Sequence, residues 1–287
     1  MPELPEVEVV RAGLAPAAIG SQITAVSVFD ERALTRHPAG AADFVGRLEG
    51  RTFTGAERRG KFLWLPLDTG SDALIAHLGM SGQMLLRAPE APAERHERIR
   101  IHLEHPTHGE LAVVFSDQRT FGSLAVDPLV IDGRTSIPSQ VVHIARDPID
   151  PEFDDGAFRA ALRTRGSAVK RVLLDQGVIS GVGNIYADES LWASRIHPET
   201  PANALSTQAV RRLLAEVRSV LAKALAEGGT SFDAQYVNVN GQAGYFAHSL
   251  NAYGQQGTPC HRCGTPIVRE SFMNRGSHFC PRCQRRR

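Results

Sequence analysis

The sequence predicts an α+β protein with several domains: a β-sandwich with flanking helices, then a helical domain, then a small module built on cysteines. Short segments rich in β-branched and aromatic residues recur from about residue 23 to 127, and helical periods replace them after residue 153. All four cysteines lie in the last 28 residues. A length of 287 residues suits about two domains, each with its own core.

The first segment has two interpretations. Its apolar residues follow a helical period: Leu4, Val7, Val10 and Leu14. Once the initiator methionine is removed, however, Pro2 presents a free secondary amine, whose ordinary pKa is about 7.7–8.0. A useful fraction of this amine is therefore unprotonated and nucleophilic at neutral pH. Glu3 lies beside it and can shuttle a proton. This pair indicates attack on a glycosidic or carbonyl-type carbon through an imine, unless the glutamates only begin a helix.

The sandwich is predicted from six strands and one further helix. The helix is expected near 41–48, and the strands at 23–30, 52–58, 62–67, 73–77, 98–104 and 111–116. Residues 98–103 alternate cleanly between polar and apolar, as a strand with one solvated face should. Several short strands at this spacing indicate two packed layers.

The helical domain follows a proline-rich stretch. Residues 128–153 hold four prolines and scattered acids without a strong period, which predicts an interdomain connection. Helices are expected at 154–165, 168–176, 185–195 and 206–227, with Ser206 as an N-cap and Gly228-Gly229 as a stop. Residues 233–259 are polar and predict a loop.

The cysteines form two pairs, Cys260-x2-Cys263 and Cys280-x2-Cys283, separated by sixteen residues. This spacing is typical of one structural Zn²⁺ held by four thiolates. The alternative is two disulfides, which needs an oxidising compartment that nothing in the sequence supports. Between the pairs, 267–273 and 277–279 predict a hairpin with Arg275 at its tip.

The net charge of +1 hides two basic zones, 156–174 and 260–287. The second carries seven arginines against Glu270 alone. Such zones fit a local phosphate-binding face, although solvated helix faces are the commoner reason for them. No apolar run approaches the roughly 18 residues that span a bilayer, and the start lacks a secretory signal pattern, so we expect a cytoplasmic protein.

Taken singly the other motifs are weak, but together they resemble one family. They occur in order and at suitable spacing: PELPEVE from Pro2, Arg59-Gly60-Lys61, HLGMSG from His77, Arg119-x-Phe121-Gly122, GVGNIYADESL from Gly181, and the four-cysteine terminus. The whole chain resembles the formamidopyrimidine-DNA glycosylases, the bacterial 8-oxoguanine glycosylases with lyase activity. The related endonuclease VIII branch usually has Gly where this chain has Leu4, so Leu4 favours the purine-lesion branch.

The resemblance implies a β-sandwich, a helix–two-turn–helix domain and a zinc hairpin. The implied division is 1–130 for the catalytic sandwich, 131–153 for a linker, 154–232 for the helix–two-turn–helix domain, 233–250 for a lesion-capping loop and 251–287 for the zinc finger. The implied partner is damaged double-stranded DNA. We expect a monomer with one zinc, without a small-molecule cofactor or a membrane, associated with the bacterial nucleoid through DNA.

The resemblance also implies roles for single residues. Pro2 matches the nucleophile that attacks C1′, Glu3 the proton donor, Lys61 the lysine of β-elimination and Arg275 the arginine of δ-elimination. The positions that match DNA contacts are Met80, His96, Arg119, Phe121, Arg165, Lys170 and Asn184. Among these Met80, Arg119 and Phe121 resemble the triad that fills the gap left by a flipped-out lesion, since the glycosidic bond is shielded inside the stack.

Departures from the family are small. Gln118 and Thr120 stand where many relatives carry Pro and Arg, and Ser277 stands where Thr is usual. Three alternatives stay open. One is an endonuclease VIII-like specificity for oxidised pyrimidines, and another is a lesion-binding protein without catalysis. A zinc-ribbon transcription factor is the third, and it leaves the N-terminal motif unexplained.

Overall fold

The computed structural model describes residues 2–230, 239 and 245–286, and the chain divides into two compact units. The first comprises Met1–His143 with Gly228–Gly244, and the second Ile144–Glu227 with Tyr245–Arg287. The predicted lesion-capping loop lies largely outside the described residues. The division into five segments stays a prediction.

The first unit is a two-layer β-structure with two helices. The helices are α1 (Leu4–Ala18) and α2 (Gly40–Leu48). The strands are β1 (Gln22–Val28), β2 (Glu57–Arg59), β3 (Phe62–Pro66), β4 (Asp72–His77), β5 (Gly82–Arg87), β6 (Glu97–His105), β7 (Gly109–Asp117), β8 (Ser123–Asp132) and β9 (Thr135–Pro138). One antiparallel sheet has the order β1-β6-β7-β5 and the other β2-β3-β4-β8-β9. Both contribute to one core, where Ile101 and Phe115 of the first sheet join Leu63 and Leu74 of the second. The α+β prediction is confirmed.

Three strands of this unit were not predicted: β5, β8 and β9. The sequence of β8 contains Pro128, which cannot donate a ladder hydrogen bond. Pro128 is tolerated because β8 changes partners there: residues up to Pro128 pair with β4, and Leu129 begins the pairing with β9. The stretch read as a linker therefore begins inside a hairpin. The predicted strand 52–58 was also wrong for most of its length, because only Glu57–Arg59 forms a named strand there.

The second unit contains the predicted helices and the cysteine module. The helices are α3 (Asp155–Arg163), α4 (Val169–Leu174), α5 (Asn184–Ser194) and α6 (Thr207–Ala226). The Ser206 hydroxyl accepts a hydrogen bond from Ala209 N at 3.2 Å, which confirms the predicted N-cap. The hairpin consists of β10 (Val268–Phe272) and β11 (Arg275–Phe279). Its turn residues Met273 and Asn274 both have positive φ, so Arg275 is the first residue of β11 rather than the centre of the turn.

Within the described part of the chain, no helix combines the length and the apolar content that crossing a bilayer requires.

Candidate active site

The N-terminal residues are held at the start of α1. Pro2 and Glu3 are both buried, and Glu3 is the N-cap of the helix. Glu3 N donates to Glu6 Oε2 at 2.8 Å, and the two residues form a capping box. The two interpretations of this segment are therefore compatible, because the residues that begin the helix also fix the backbone beside the amine of Pro2.

Glu6 has a second set of partners that the sequence did not indicate. Its Oε1 accepts hydrogen bonds from Thr230 N and Thr230 Oγ1, both at 2.8 Å. The preceding Gly229 has φ +80°, and a Cβ there would lie 3.1 Å from Glu6 Oε1. A glycine is thus required for the close approach. The carboxylate ties the start of α1 to residues more than two hundred positions later in the chain.

Lys61 lies on the tight turn between β2 and β3. Gly60 has φ +57° and forms the turn, and Lys61 directly precedes β3. The side chain of Lys61 is half-buried. Arg58 Nη1 donates to Gly60 O at 3.2 Å, which fixes the backbone next to the lysine.

His77 ends β4 and is a neutral neighbour of Lys61. Burial, together with the positive charges of Arg36 and Lys61, lowers the pKa of His77 to about 4. Its Nδ1 accepts a hydrogen bond from Gly79 N at 3.2 Å, and its ring packs on Phe62. At neutral pH this imidazole therefore orders the loop that carries Met80 without adding a charge. This role of His77 is not indicated by the sequence.

Two loops carry the predicted gap-filling residues, and a buried carboxylate joins them. Asp117 accepts hydrogen bonds from Ser81 Oγ at 2.5 Å, Arg119 N at 3.0 Å and Gly122 N at 2.7 Å. A Cβ on Gly79 would lie 2.4 Å from Gly122 N, so the loop backbones touch directly. The sequence contains no signal for this role of Asp117, because its partner Ser81 lies on a separate loop.

The side chains presented by these loops are exposed. Met80 is 40% exposed and Phe121 57%, which is unusual for large apolar residues. The Arg119 guanidinium lies 5.1 Å from the centre of the Phe121 ring. His96 is half-buried. Its backbone carbonyl accepts a hydrogen bond from Asp117 N, which places His96 next to these loops. Four of the predicted DNA-contact residues therefore belong to one set of connected segments.

In the second unit, Lys170 is buried against the hairpin and α5. Its side chain is fully buried, with Nζ 2.6 Å from Asp188 Oδ1 and 3.2 Å from Gly276 O. The expected contact of Lys170 with DNA stays a prediction. Asn184 Nδ2 donates to the same carbonyl at 2.9 Å. The side chain of Arg165 is exposed, and its Nη2 lies 3.5 Å from Asp175 Oδ2.

Lys170 and Asn184 both hold the hairpin. Gly276 directly follows Arg275, whose side chain is exposed beside the turn. Asp188 receives further hydrogen bonds from His278 N at 2.9 Å and Ser277 Oγ at 3.3 Å. Helices α4 and α5 therefore fix the strand on which Arg275 stands.

Replacing Asp188 by Asn is expected to destabilise the second unit by about 3–5 kcal/mol, because it leaves the Lys170 ammonium buried without its counter-charge. The measurement is chemical denaturation of the full chain. The double variant Lys170→Met/Asp188→Leu is expected to recover much of the loss, since both charges are then gone. A loss below about 1 kcal/mol in the single variant would contradict the ion pair.

The four cysteines converge in the second unit. Their Sγ atoms all lie within 4.8 Å of one another, and Cys263 Sγ is 3.5 Å from Cys280 Sγ. Zn–S bonds of about 2.3 Å in a tetrahedron place sulfurs about 3.8 Å apart, so this donor set fits zinc. All four are free thiols, which excludes the disulfide alternative in this structure. Each pair forms a knuckle, in which Gly264 N donates to Cys260 O at 2.8 Å and Gln284 N to Cys280 O at 2.9 Å.

Part of the C-terminal basic zone serves the fold rather than a phosphate. The Arg262 guanidinium donates to the carbonyls of Trp192 and Ala193 at the C-terminal end of α5 and lies 3.9 Å from the Trp192 ring centre. Arg286 pairs with Glu199 at 3.0 Å. Arg262 and Arg286 therefore have partners within the protein, and fewer arginines of this zone are available to bind phosphates than the sequence predicts.

Three family models match successive parts of the chain. They describe the formamidopyrimidine-DNA glycosylase N-terminal domain (residues 1–124), the H2TH domain of the same enzyme (144–235) and a zinc finger found in FPG and IleRS (257–286). The chain belongs to the formamidopyrimidine-DNA glycosylase family. The zinc-finger match and the cysteine geometry together establish one structural Zn²⁺ with four cysteine ligands.

Relatives in the family are similar over their whole length. The formamidopyrimidine-DNA glycosylase of Leifsonia xyli subsp. xyli is 64% identical, covering 99% of this chain and 100% of its own. That of Thermobifida fusca is 58% identical, covering 100% and 98%. Among solved structures, Lactococcus lactis Fpg bound to DNA with an abasic site is 32% identical with a TM-score of 0.85, covering 99% of this chain and 100% of its own.

Proposed function

We propose that this chain is a DNA glycosylase with AP lyase activity, which removes oxidised purines from double-stranded DNA in base-excision repair. The observation that carries the proposal is the buried Pro2-Glu3 pair at the start of α1, in a chain whose family acts on damaged DNA. A 33% identical Lactococcus lactis variant was solved with DNA that contains Fapy-dG, a damaged purine (TM-score 0.86; 99% of this chain and 100% of that one).

The first step forms a covalent bond to the protein. The lone pair of the Pro2 amine attacks C1′ of the damaged nucleoside, and the electron pair of the glycosidic bond leaves with the base. Glu3 supplies the proton that accompanies base loss. The proton of the attacking amine passes to O4′ of the sugar as the C1′–O4′ bond breaks and the nitrogen lone pair forms the C1′=N bond, so Pro2 ends in a Schiff base to the ring-opened sugar.

The next steps cut the strand. Lys61, in its amine form, takes a proton from C2′, and the released electron pair becomes a carbon–carbon double bond as the 3′ C–O bond breaks. The 3′ phosphate leaves with the electrons of that bond. Arg275 assists the second elimination, which releases the 5′ phosphate. A cut on both sides of the lost sugar follows.

The remaining residues hold the DNA open. The glycosidic bond is accessible only when the nucleotide is flipped out of the stack. Met80 and Phe121 are apolar, exposed and on connected loops, and with Arg119 they fill the vacated space. His96, Arg165 and Asn184 contact the DNA backbone, while Lys170 contributes indirectly through the hairpin carbonyl that it shares with Asn184.

A pyrimidine specificity is the second candidate, and one observation favours it. The wild-type Lactococcus lactis Fpg, 32% identical over 99% of this chain, was solved with DNA containing an oxidised pyrimidine (TM-score 0.84). The purine preference therefore needs a direct comparison of lesions.

The test is borohydride trapping on a panel of duplexes that carry 8-oxoguanine, a formamidopyrimidine or 5-hydroxycytosine. We expect a covalent adduct with the purine lesions, mapped by mass spectrometry to residue 2. Trapping confined to the pyrimidine would assign the endonuclease VIII-like specificity. Tight binding of all duplexes without any adduct would instead identify a lesion-binding protein.

We also propose where in the cell this activity takes place. The relatives are bacterial, and a bacterial repair enzyme that acts on chromosomal DNA works in the cytoplasm, associated with the nucleoid. We propose a monomer, as the family implies.

A further inference from the structure

One carboxylate of the first unit contacts both segments that carry the proposed lyase residues. Glu8 lies on α1, one turn after the capping box that begins with Glu3. It accepts hydrogen bonds from Arg11 Nε at 3.0 Å and Nη2 at 2.7 Å, in a bidentate pair. It also accepts one from Arg58 Nε at 3.0 Å, and Arg58 lies on β2, fifty positions away.

Both arginines that bind Glu8 also donate hydrogen bonds to backbone carbonyls at the two ends of β2. Arg11 Nη1 donates to Ala56 O at 2.9 Å, just before β2. Arg58 Nη1 donates to Gly60 O at 3.2 Å, on the residue that precedes Lys61. The carboxylate thus links α1 to each end of the short strand β2 through guanidinium groups.

The network is well shielded. The side chain of Arg58 is only 9% exposed, and those of Glu8 and Arg11 about a quarter. Burial raises the pKa of Glu8, but the hydrogen bonds and charges of Arg11 and Arg58 outweigh it, and the pKa lies below its ordinary value. The carboxylate is therefore ionised at neutral pH and keeps both arginines bound.

We propose that Glu8 is a positioning residue for the lyase step. Through its two arginine partners it fixes the segment that begins with Pro2 against the turn that carries Lys61. The inference rests on the proposed function, in which the imine forms on Pro2 and Lys61 then removes a proton from the same sugar.

The two steps should depend on this link differently. Imine formation needs the amine of Pro2 and the sugar. The β-elimination also needs the Lys61 nitrogen within reach of C2′ of the sugar bound to Pro2. A misplacement of about 1 Å costs such a proton transfer up to about a hundredfold.

The experiment uses the full chain on a duplex with a preformed abasic site. Quenching with borohydride measures imine formation, and strand scission measures β-elimination. In Glu8→Gln we expect imine formation within about threefold of the wild type, a tenfold to hundredfold slower elimination, and accumulation of the imine. Arg58→Gln should behave alike, and the double variant should be no slower than either single one, since the two side chains act as a unit.

Asp72→Asn is the matched control. Asp72 pairs with Arg47 and links α2 to β4 in the same unit, at the end of β4 opposite His77. We expect its ratio of elimination to imine formation to match the wild type even where its melting temperature falls. If Glu8→Gln slows both steps equally, or changes neither, the positioning role is wrong. An absence of any imine at residue 2 in the wild type would instead overturn the proposed function itself.

Discussion

Glu3→Gln is expected to slow excision of 8-oxoguanine by about 10²–10⁴-fold, the usual contribution of a positioned acid. The amide cannot supply the proton that accompanies base loss. It keeps the size of the side chain and the backbone donor to Glu6, so the capping box should keep its backbone half and the fold should persist. Single-turnover kinetics on a lesion-containing duplex measure the effect.

A second substrate separates this chemistry from a general loss of function. A preformed abasic site has no base to expel, so Glu3→Gln should form the imine there within about threefold of the wild-type rate. Pro2→Gly keeps an N-terminal amine but changes it from secondary to primary, and it should impair both substrates. Glu31→Gln, at an exposed carboxylate of the same unit, is the matched control and should leave both rates unchanged. Equal losses on the two substrates for Glu3→Gln would remove it from the base-loss step.

Local features of the fold, such as helices and their caps, can be predicted from the sequence. A strand that changes its pairing partner is predicted poorly. Helix α6 has a clear period and an N-cap, and its bounds differ from the prediction by one residue at each end. Strand β8 was missed because its signal is interrupted by Asp127 and Pro128. Those residues are acceptable only because the strand leaves β4 for β9 there, and Asp127 accepts hydrogen bonds from Gln140 N and the Ser139 hydroxyl. A residue's tolerance in a strand thus depends on a pairing that the linear pattern does not contain.

The candidate site likewise has residues that the sequence predicts and residues that it does not. Residues that touch substrate can be proposed from motifs, as Pro2 and Lys61 were. Residues that hold those motifs in place are polar side chains with partners far along the chain, such as Glu6 with Thr230 and Asp117 with Ser81. Lys170 is a further example, since its place in a basic zone resembles that of a phosphate ligand and the linear pattern does not contain its buried partner Asp188.

Removal of zinc is expected to abolish DNA binding while the first unit stays folded. The cysteine module has little apolar core, in which Ile267 packs with Cys260 and Cys280, so its fold depends on the metal. Structural zinc sites contribute about 10–16 kcal/mol of apparent folding free energy in isolated fingers. Without it the hairpin that carries Arg275 loses one of its anchors, the other being its contacts with α4 and α5. Among the described residues, by contrast, those that form the core of the first unit all belong to that unit.

Chelation of the full chain, followed by circular dichroism and binding of an abasic-site duplex, tests this. We expect most of the strand signal to remain, binding to fall below detection at physiological salt, and added Zn²⁺ to restore it. Cys280→Ser should reproduce the loss, whereas His261→Ser, an exposed residue between Cys260 and Cys263, should bind zinc and DNA normally. Collapse of the whole spectrum would mean that the first unit needs the zinc module to fold. Retained DNA binding would mean that the hairpin is dispensable for holding DNA.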